Sequence, residues 1–430
     1  MPLSHDLIVF LVDEKHGRRV GALTANGSFA YDPTYVERED AHPLSLSLPL
    51  DREAFAQAES RPYFEGLLPE HEAREALAAQ LAVRSDDYLA MLEHSALDCI
   101  GDVAITADDP PAQGELFPNA RFAAVTKNEL RRALRSTGSV AQASLASRLS
   151  LSGTQRKLGV VRLARNGDTP TWYRPLDGAA STHIIKSGQL SAVPEYEFLA
   201  LRAAKACGLP VPATETFDLE NGSVALCIER FDRSLTIDEQ GQPHVRRLHH
   251  EDLTQALGLP AGSKYAELEP TTARAVAELL RRRSSRPLAD VRQLARLCLF
   301  NYLIGNCDNH LKNVSLMHSE GWVSLAPAYD LVPTTVFERF SHEMAMAIGS
   351  HRIIDEVTPE DLSLLARDLG LAPRMVRGFA AKLIDVTLPA LFEAAHGNTW
   401  TEALHHDAEN LADDMTSRLE VLRRFCTSST

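Results

Sequence analysis

Three side chains pose the chemical question in this chain. Asp308 stands five residues before Asn313 in Gly305-Asn-Cys-Asp308-Asn-His310-Leu-Lys312-Asn313, and Asp330 follows Asn313 by seventeen. In-line phosphoryl transfer needs a carboxylate near the attacking hydroxyl and two oxygen ligands that hold Mg²⁺ on the phosphates. Asp308 suits the base, and Asn313 and Asp330 suit the metal ligands. Asp and Asn are also common in plain turns, and D-x-x-x-x-N arises often by chance, so the flanks carry weight. Ala295–Ile304 is apolar and of helical length, and Val314–Met317 reads as a short strand. A loop between two buried elements sits on a rigid scaffold.

Other elements must grip the nucleotide. Ser150-Leu-Ser152-Gly153-Thr154-Gln155-Arg156-Lys157 leads into a strand pattern over 157–163. Such a turn can aim backbone N–H groups and hydroxyls at phosphates, although a single glycine equally suits an ordinary hairpin. Lys186 ends the apolar strand Thr182–Lys186, where it could neutralise phosphates or simply reach solvent. A helix follows, with Pro194 at its start and Gly208 as its stop. Glu197 on this helix is placed to pair with Lys186, and Glu195 competes for the role. Strand 224–229 ends in Glu229-Arg-Phe231-Asp-Arg233, where a hinge facing adenine would lie. His249 and His250 have no further ligands at metal spacing and read as structural or solvent-facing.

The 430 residues allow two or three domains, and 44% hydrophobic with 24% charged residues is a soluble composition. No apolar run has membrane-span length, and the N-terminus shows no export signal, so a cytoplasmic location is expected. Six scattered cysteines without a C-x-x-C pair fit a reducing compartment, with Cys207 and Cys298 as core thiols. A net charge of −14 disfavours autonomous nucleic-acid binding. Arg281–Arg286 reads first as cations at a helix C-terminus.

The pattern predicts an α+β unit over 1–105, an α/β nucleotide-gripping region over 106–245 with a Pro-rich linker at 108–118, and a helical catalytic lobe over 246–430. Strands are expected at 7–12 and 20–23 around a turn at Gly17, at 27–31, and at Pro43–Leu50 from its strict alternation. Helices are expected at 52–59, 70–81 and 86–92. The fold class is α+β, bilobed and protein-kinase-like.

Pro43-Leu-Ser-Leu-Ser-Leu-Pro49, the Ser150–Lys157 turn, Thr182–Lys186, Glu229–Arg233, His250-Glu-Asp252, Asp308–Asn313 and Tyr329-Asp330 together resemble the HipA serine/threonine kinase toxins of bacterial toxin–antitoxin modules. The resemblance implies a protein kinase using ATP and Mg²⁺, with Asp308 as base and Asn313 and Asp330 on the metal. It implies nucleotide contacts from Ser152, Gly153, Thr154, Gln155, Lys157, Lys186, Glu229, Phe231, Lys312 and Asn313. Autophosphorylation is implied at Ser150, with Ser152 sharing an S-x-S arrangement. The implied partners are a HipB-like helix-turn-helix antitoxin, operator DNA through that complex, and a protein substrate such as glutamyl-tRNA synthetase or another synthetase. No membrane is involved. The alternatives are a lipid or small-molecule kinase with a phosphatidylinositol-3-kinase-like loop, or a non-catalytic pseudokinase corepressor.

Overall fold

The apolar run Leu7–Asp13 forms strand β1, whose Leu7, Val9, Leu11 and Val12 are buried. The computed structural model describes residues 4–14, 16–95, 101–107, 115–135, 156–163, 170–188, 192–219, 224–240, 242–268, 271–319, 321–396 and 401–428. Strands β2 (His16–Leu23), β3 (Phe29–Tyr31), β4 (Ala54–Phe55) and β5 (Val103–Thr106) complete a sheet in the order β4-β3-β2-β1-β5. Helices Gln57–Gly66, His71–Leu81 and Tyr88–Ser95 accompany it. The core between them is aromatic, with the Phe29 ring against Tyr31, Phe55 and Phe64, and Tyr31 against Phe55.

Three local expectations change. Gly17 lies inside β2 rather than at a turn, because β1 pairs with β2 as far as Asp13–His16. Residues 52–55 are not helical: Ala54 and Phe55 pair with β3, and the helix begins at Gln57. Pro43–Leu50 is not a strand. Only a Ser45–Leu48 bridge forms there, since Ser45 and Ser47 turn together onto the buried segment at 251–255.

By contact density the chain divides into two units. The first contains residues 1–189, 227–261 and 317–321. Besides the sheet above it holds β6 (Arg121–Val125), β7 (Arg156–Leu163), β8 (Thr171–Leu176) and β9 (His183–Ser187), ordered β6-β8-β7-β9 with antiparallel pairing throughout. The second contains residues 190–226, 262–316 and 322–430 and is mostly helical. Its central helix, Pro287–Ile304, buries Val291, Leu294, Leu297, Leu299, Phe300, Leu303 and Ile304. It packs against helices Thr272–Arg283 and Pro373–Ala395. Arg281, Arg282 and Arg283 form the last turn of Thr272–Arg283, as cations at a helix C-terminus should. Arg281 donates to the Leu369 carbonyl. Among the described residues no helix is long and apolar enough to cross a membrane.

Candidate active site

The central helix of the second unit ends where Gly305 takes a left-handed conformation, φ +75°. A Cβ there would lie 1.8 Å from Thr335 Oγ1, so glycine is required twice over. The Gly305 carbonyl accepts from the N–H groups of Thr334 (2.9 Å) and Thr335 (3.1 Å). The buried Arg418 donates to the Leu303 carbonyl at 3.1 Å. The stem of the loop is therefore held by residues far along the chain.

The Asn313 amide Nδ2 donates to the Asp308 carbonyl at 2.9 Å, and its backbone N–H donates to the His310 carbonyl at 2.8 Å. This bond fixes which way the amide points. Asp308 itself is exposed, as a group meeting a substrate hydroxyl must be. Asp330 is half-buried with φ +57°, a left-handed backbone that costs energy for any residue bearing a Cβ. Such strain collects at functional positions, and Asp is among the residues that tolerate it best.

Asn306 links the two aspartates and was not foreseen. Its Oδ1 accepts from the Asp308 N–H at 3.1 Å. Its Nδ2 donates to Asn301 Oδ1 at 2.8 Å and reaches the Asp330 carbonyl at 3.4 Å. One buried carboxamide thus spans the backbones of Asp308 and Asp330. Lys312 lies in the 3₁₀ turn Leu311–Asn313 and is buried, with its carbonyl accepting from the Tyr329 hydroxyl at 2.7 Å. Glu195 and Glu197 are both buried on helix Val193–Ala206 of this unit, and burial raises the Glu195 carboxyl above its ordinary range.

In the first unit, Lys157 on β7 and Lys186 on β9 are directly opposite in the antiparallel register. Lys186 is 5% exposed. Ser150, Ser152, Gly153, Thr154 and Gln155 lie outside the described residues. Glu229 is exposed at the end of strand Val224–Glu229, and the Phe231 ring meets His250 edge-on at 5.2 Å.

Arg230, Asp232 and Arg233 of the same segment form a buried ionic clamp. Arg230 reaches both Asp232 oxygens, at 2.9 and 2.6 Å, and Arg233 donates to Asp232 Oδ2 at 2.7 Å and to the Gly101 carbonyl at 2.8 Å. The Gly101 N–H donates back to Asp232 at 3.0 Å. Burial opposes the charge on Asp232, but the two guanidiniums outweigh it and hold the carboxyl well below its usual range. His249 and His250 are both buried. His249 bonds Asp102 at 2.6 Å and the Leu44 carbonyl at 2.9 Å, a structural role. Glu251 takes the Ser45 hydroxyl, the Leu46 N–H at 3.0 Å and His318 at 2.9 Å.

Among the described residues no three His, Cys, Asp or Glu side chains converge as a metal site. Asn313 and Asp330 each carry hard oxygen donors, the kind Mg²⁺ accepts when phosphates and water complete its shell.

The sequence pattern of the HipA-like C-terminal domain matches residues 149–390, and that of the HipA N-terminal domain matches 12–106. The chain belongs to the HipA family. It is 32% identical over 419 residues to the protein named "Putative kinase Y4mE" from Sinorhizobium fredii, covering 95% of this chain and 97% of that one. It is 28% identical over 358 residues to the serine/threonine-protein kinase toxin HipA of Shewanella oneidensis, covering 80% and 79%. A solved Shewanella oneidensis complex of HipA, HipB and operator DNA contains a chain of the same fold, with TM-score 0.80 and 23% identity over 99% of this chain and 100% of that one. The α+β fold expected from sequence is the HipA fold.

Proposed function

We propose that this chain is a Mg²⁺- and ATP-dependent protein serine/threonine kinase acting as the toxin of a HipBA-type module. The observation that carries the reading is the Asn313 amide pinned to the Asp308 carbonyl, which orients a metal ligand and the base from one turn. Lys157 and Lys186 hold phosphates. Asn313 and Asp330 would hold Mg²⁺, which would supply neutralisation of charge on the phosphoryl oxygens. Asp308 accepts the proton of the attacking hydroxyl, and Asn306 keeps it in register with Asp330.

The relatives' names support the wider assignment. HipA of Shewanella oneidensis is named a serine/threonine kinase toxin, and its solved complex contains HipB and operator DNA. By likeness, the partner here is a HipB-type antitoxin that carries the complex to DNA. The substrate is a translation protein, with an aminoacyl-tRNA synthetase such as glutamyl-tRNA synthetase the first to test, and Ser150 or Ser152 is self-labelled. The location is cytoplasmic.

Incubation with γ-labelled ATP and Mg²⁺, followed by peptide mapping, tests this. Label on a serine or threonine is expected. Asp308→Gln should lower transfer about 10²- to 10⁴-fold with nucleotide affinity nearly unchanged, whereas Asp330→Asn should weaken Mg²⁺-nucleotide binding itself. Near-wild-type turnover in Asp308→Gln rejects the role of the base, and label confined to an added lipid rejects the protein-kinase reading.

A further inference from the structure

The Asp308 carboxylate receives one hydrogen bond among the described residues, from the hydroxyl of Tyr265 to Oδ1 at 2.6 Å. No motif pointed to Tyr265, which precedes Asp308 by 43 residues. It is docked beside the loop by two further contacts. The Leu311 N–H donates to the carbonyl of Lys264 at 3.2 Å, fixing the neighbouring backbone. The Tyr265 ring meets the buried His310 ring edge-on, with centroids 5.1 Å apart and planes at 81°. The tyrosine is 45% exposed, so its hydroxyl is held at the surface of the site.

We infer that Tyr265 is a positioning residue that presets the Asp308 carboxylate, and this rests on the reading of Asp308 as the base. An exposed aspartate samples several rotamers, and each wrong one must be left before proton transfer. A phenol on Oδ1 selects one rotamer and leaves Oδ2 for the acceptor hydroxyl. In the transfer step the acceptor oxygen bonds to the γ-phosphorus as the bond from that phosphorus to the bridging oxygen breaks. ADP leaves with the electron pair, and the acceptor proton passes to Oδ2. Tyr265 exchanges no proton in this step.

The test is a double-mutant cycle on the full-length protein with γ-labelled ATP and Mg²⁺. Total γ-phosphate turnover is counted as label on the protein, label on dephosphorylated casein and released phosphate. Tyr265→Phe should lower kcat about 10-fold, leaving the KM for ATP and the melting temperature within error, because the ring and its contacts remain. In an Asp308→Gln background the same change should cost less than twofold, because the hydroxyl acts only through the carboxylate. A loss below twofold in the otherwise wild-type protein overturns the inference, and so does an equal loss in both backgrounds or a KM rising in step with falling kcat. Wild-type turnover in Asp308→Gln alone instead removes the base assignment, an outcome read from a different variant.

Discussion

Removing the Asp232 carboxylate should unfold the first unit far more readily than its surface ion pairs suggest. The side chains of Arg230, Asp232 and Arg233 are 3%, 5% and 1% exposed. Asp232→Ala would leave two guanidiniums buried without their shared carboxylate and the Gly101 N–H without its acceptor. Breaking a buried pair this way costs about 3–5 kcal/mol, mostly the penalty of uncompensated charge. With a urea slope of about 3 kcal/mol/M, the midpoint should fall by about 1–2 M. Trp172 is buried on β8 of the same unit, so its fluorescence in a Trp322→Phe/Trp400→Phe background reports the relevant transition. Replacing the whole clamp (Arg230→Met, Asp232→Leu, Arg233→Met) should cost less than Asp232→Ala alone, because no orphan charge remains. A shift under about 0.3 M at unchanged slope, or a triple variant less stable than the single one, would refute the reasoning.

Asn306→Ala should remove the acceptor of the Asp308 N–H, costing about 1–3 kcal/mol by thermal unfolding. It should lower phosphate turnover at least 10-fold, and unchanged turnover would remove Asn306 from the site. Acid should weaken the first unit through its buried histidines. Burial lowers His42 and His250 from 6.5 to about 4, helped at His42 by neighbouring His249 and at His250 by Arg230 and Arg233. Both are neutral when folded, whereas the unfolded chain takes up protons as pH falls through 6.5. Stability should therefore fall between pH 6.5 and 4, by up to about 1.4 kcal/mol per pH unit for each histidine. At His249 burial lowers the pKa, but Asp102 and Glu251 outweigh it and the net shift is upward; that contribution is fully present below 6.5 and does not offset the fall. Urea midpoints by Trp172 fluorescence at pH 7 and 5 check this, and equal midpoints would contradict it.

The geometry of the 305–313 turn was legible because its constraints are local. Gly305 ends the helix, and the Asn313–Asp308 bond spans five residues, so spacing alone carries the geometry. Asn306 was missed because an asparagine beside a glycine looks like any loop residue, while its role depends on Asn301 below and Asp330 beyond. Tyr265 was missed because 43 residues separate it from the carboxylate it meets. Pro43–Leu50 misled in the opposite way. Its alternation has a strand's period, but Ser45 meets the buried Glu251 carboxylate 206 residues later and both Ser45 and Ser47 meet the Gln255 carbonyl. His249 and His250 were expected to be structural or solvent-facing; both are buried, His249 bonded to the Leu44 carbonyl and His250 beside Asp232, contacts too distant in sequence to read.

That separation bears on how the chain is made. The first unit is assembled from stretches at 1–189, 227–261 and 317–321. Emerging from a ribosome at roughly 5–20 residues per second, the Ser45 hydroxyl and Leu46 N–H would lack their carboxylate partner until Glu251 arrives, and Glu251 would lack His318 until later still. For many seconds the nascent protein would carry a nearly finished sheet with its polar keystone missing. A fragment cut after the N-terminal sheet freezes that state, so it should be soluble only with help, however complete its aromatic core.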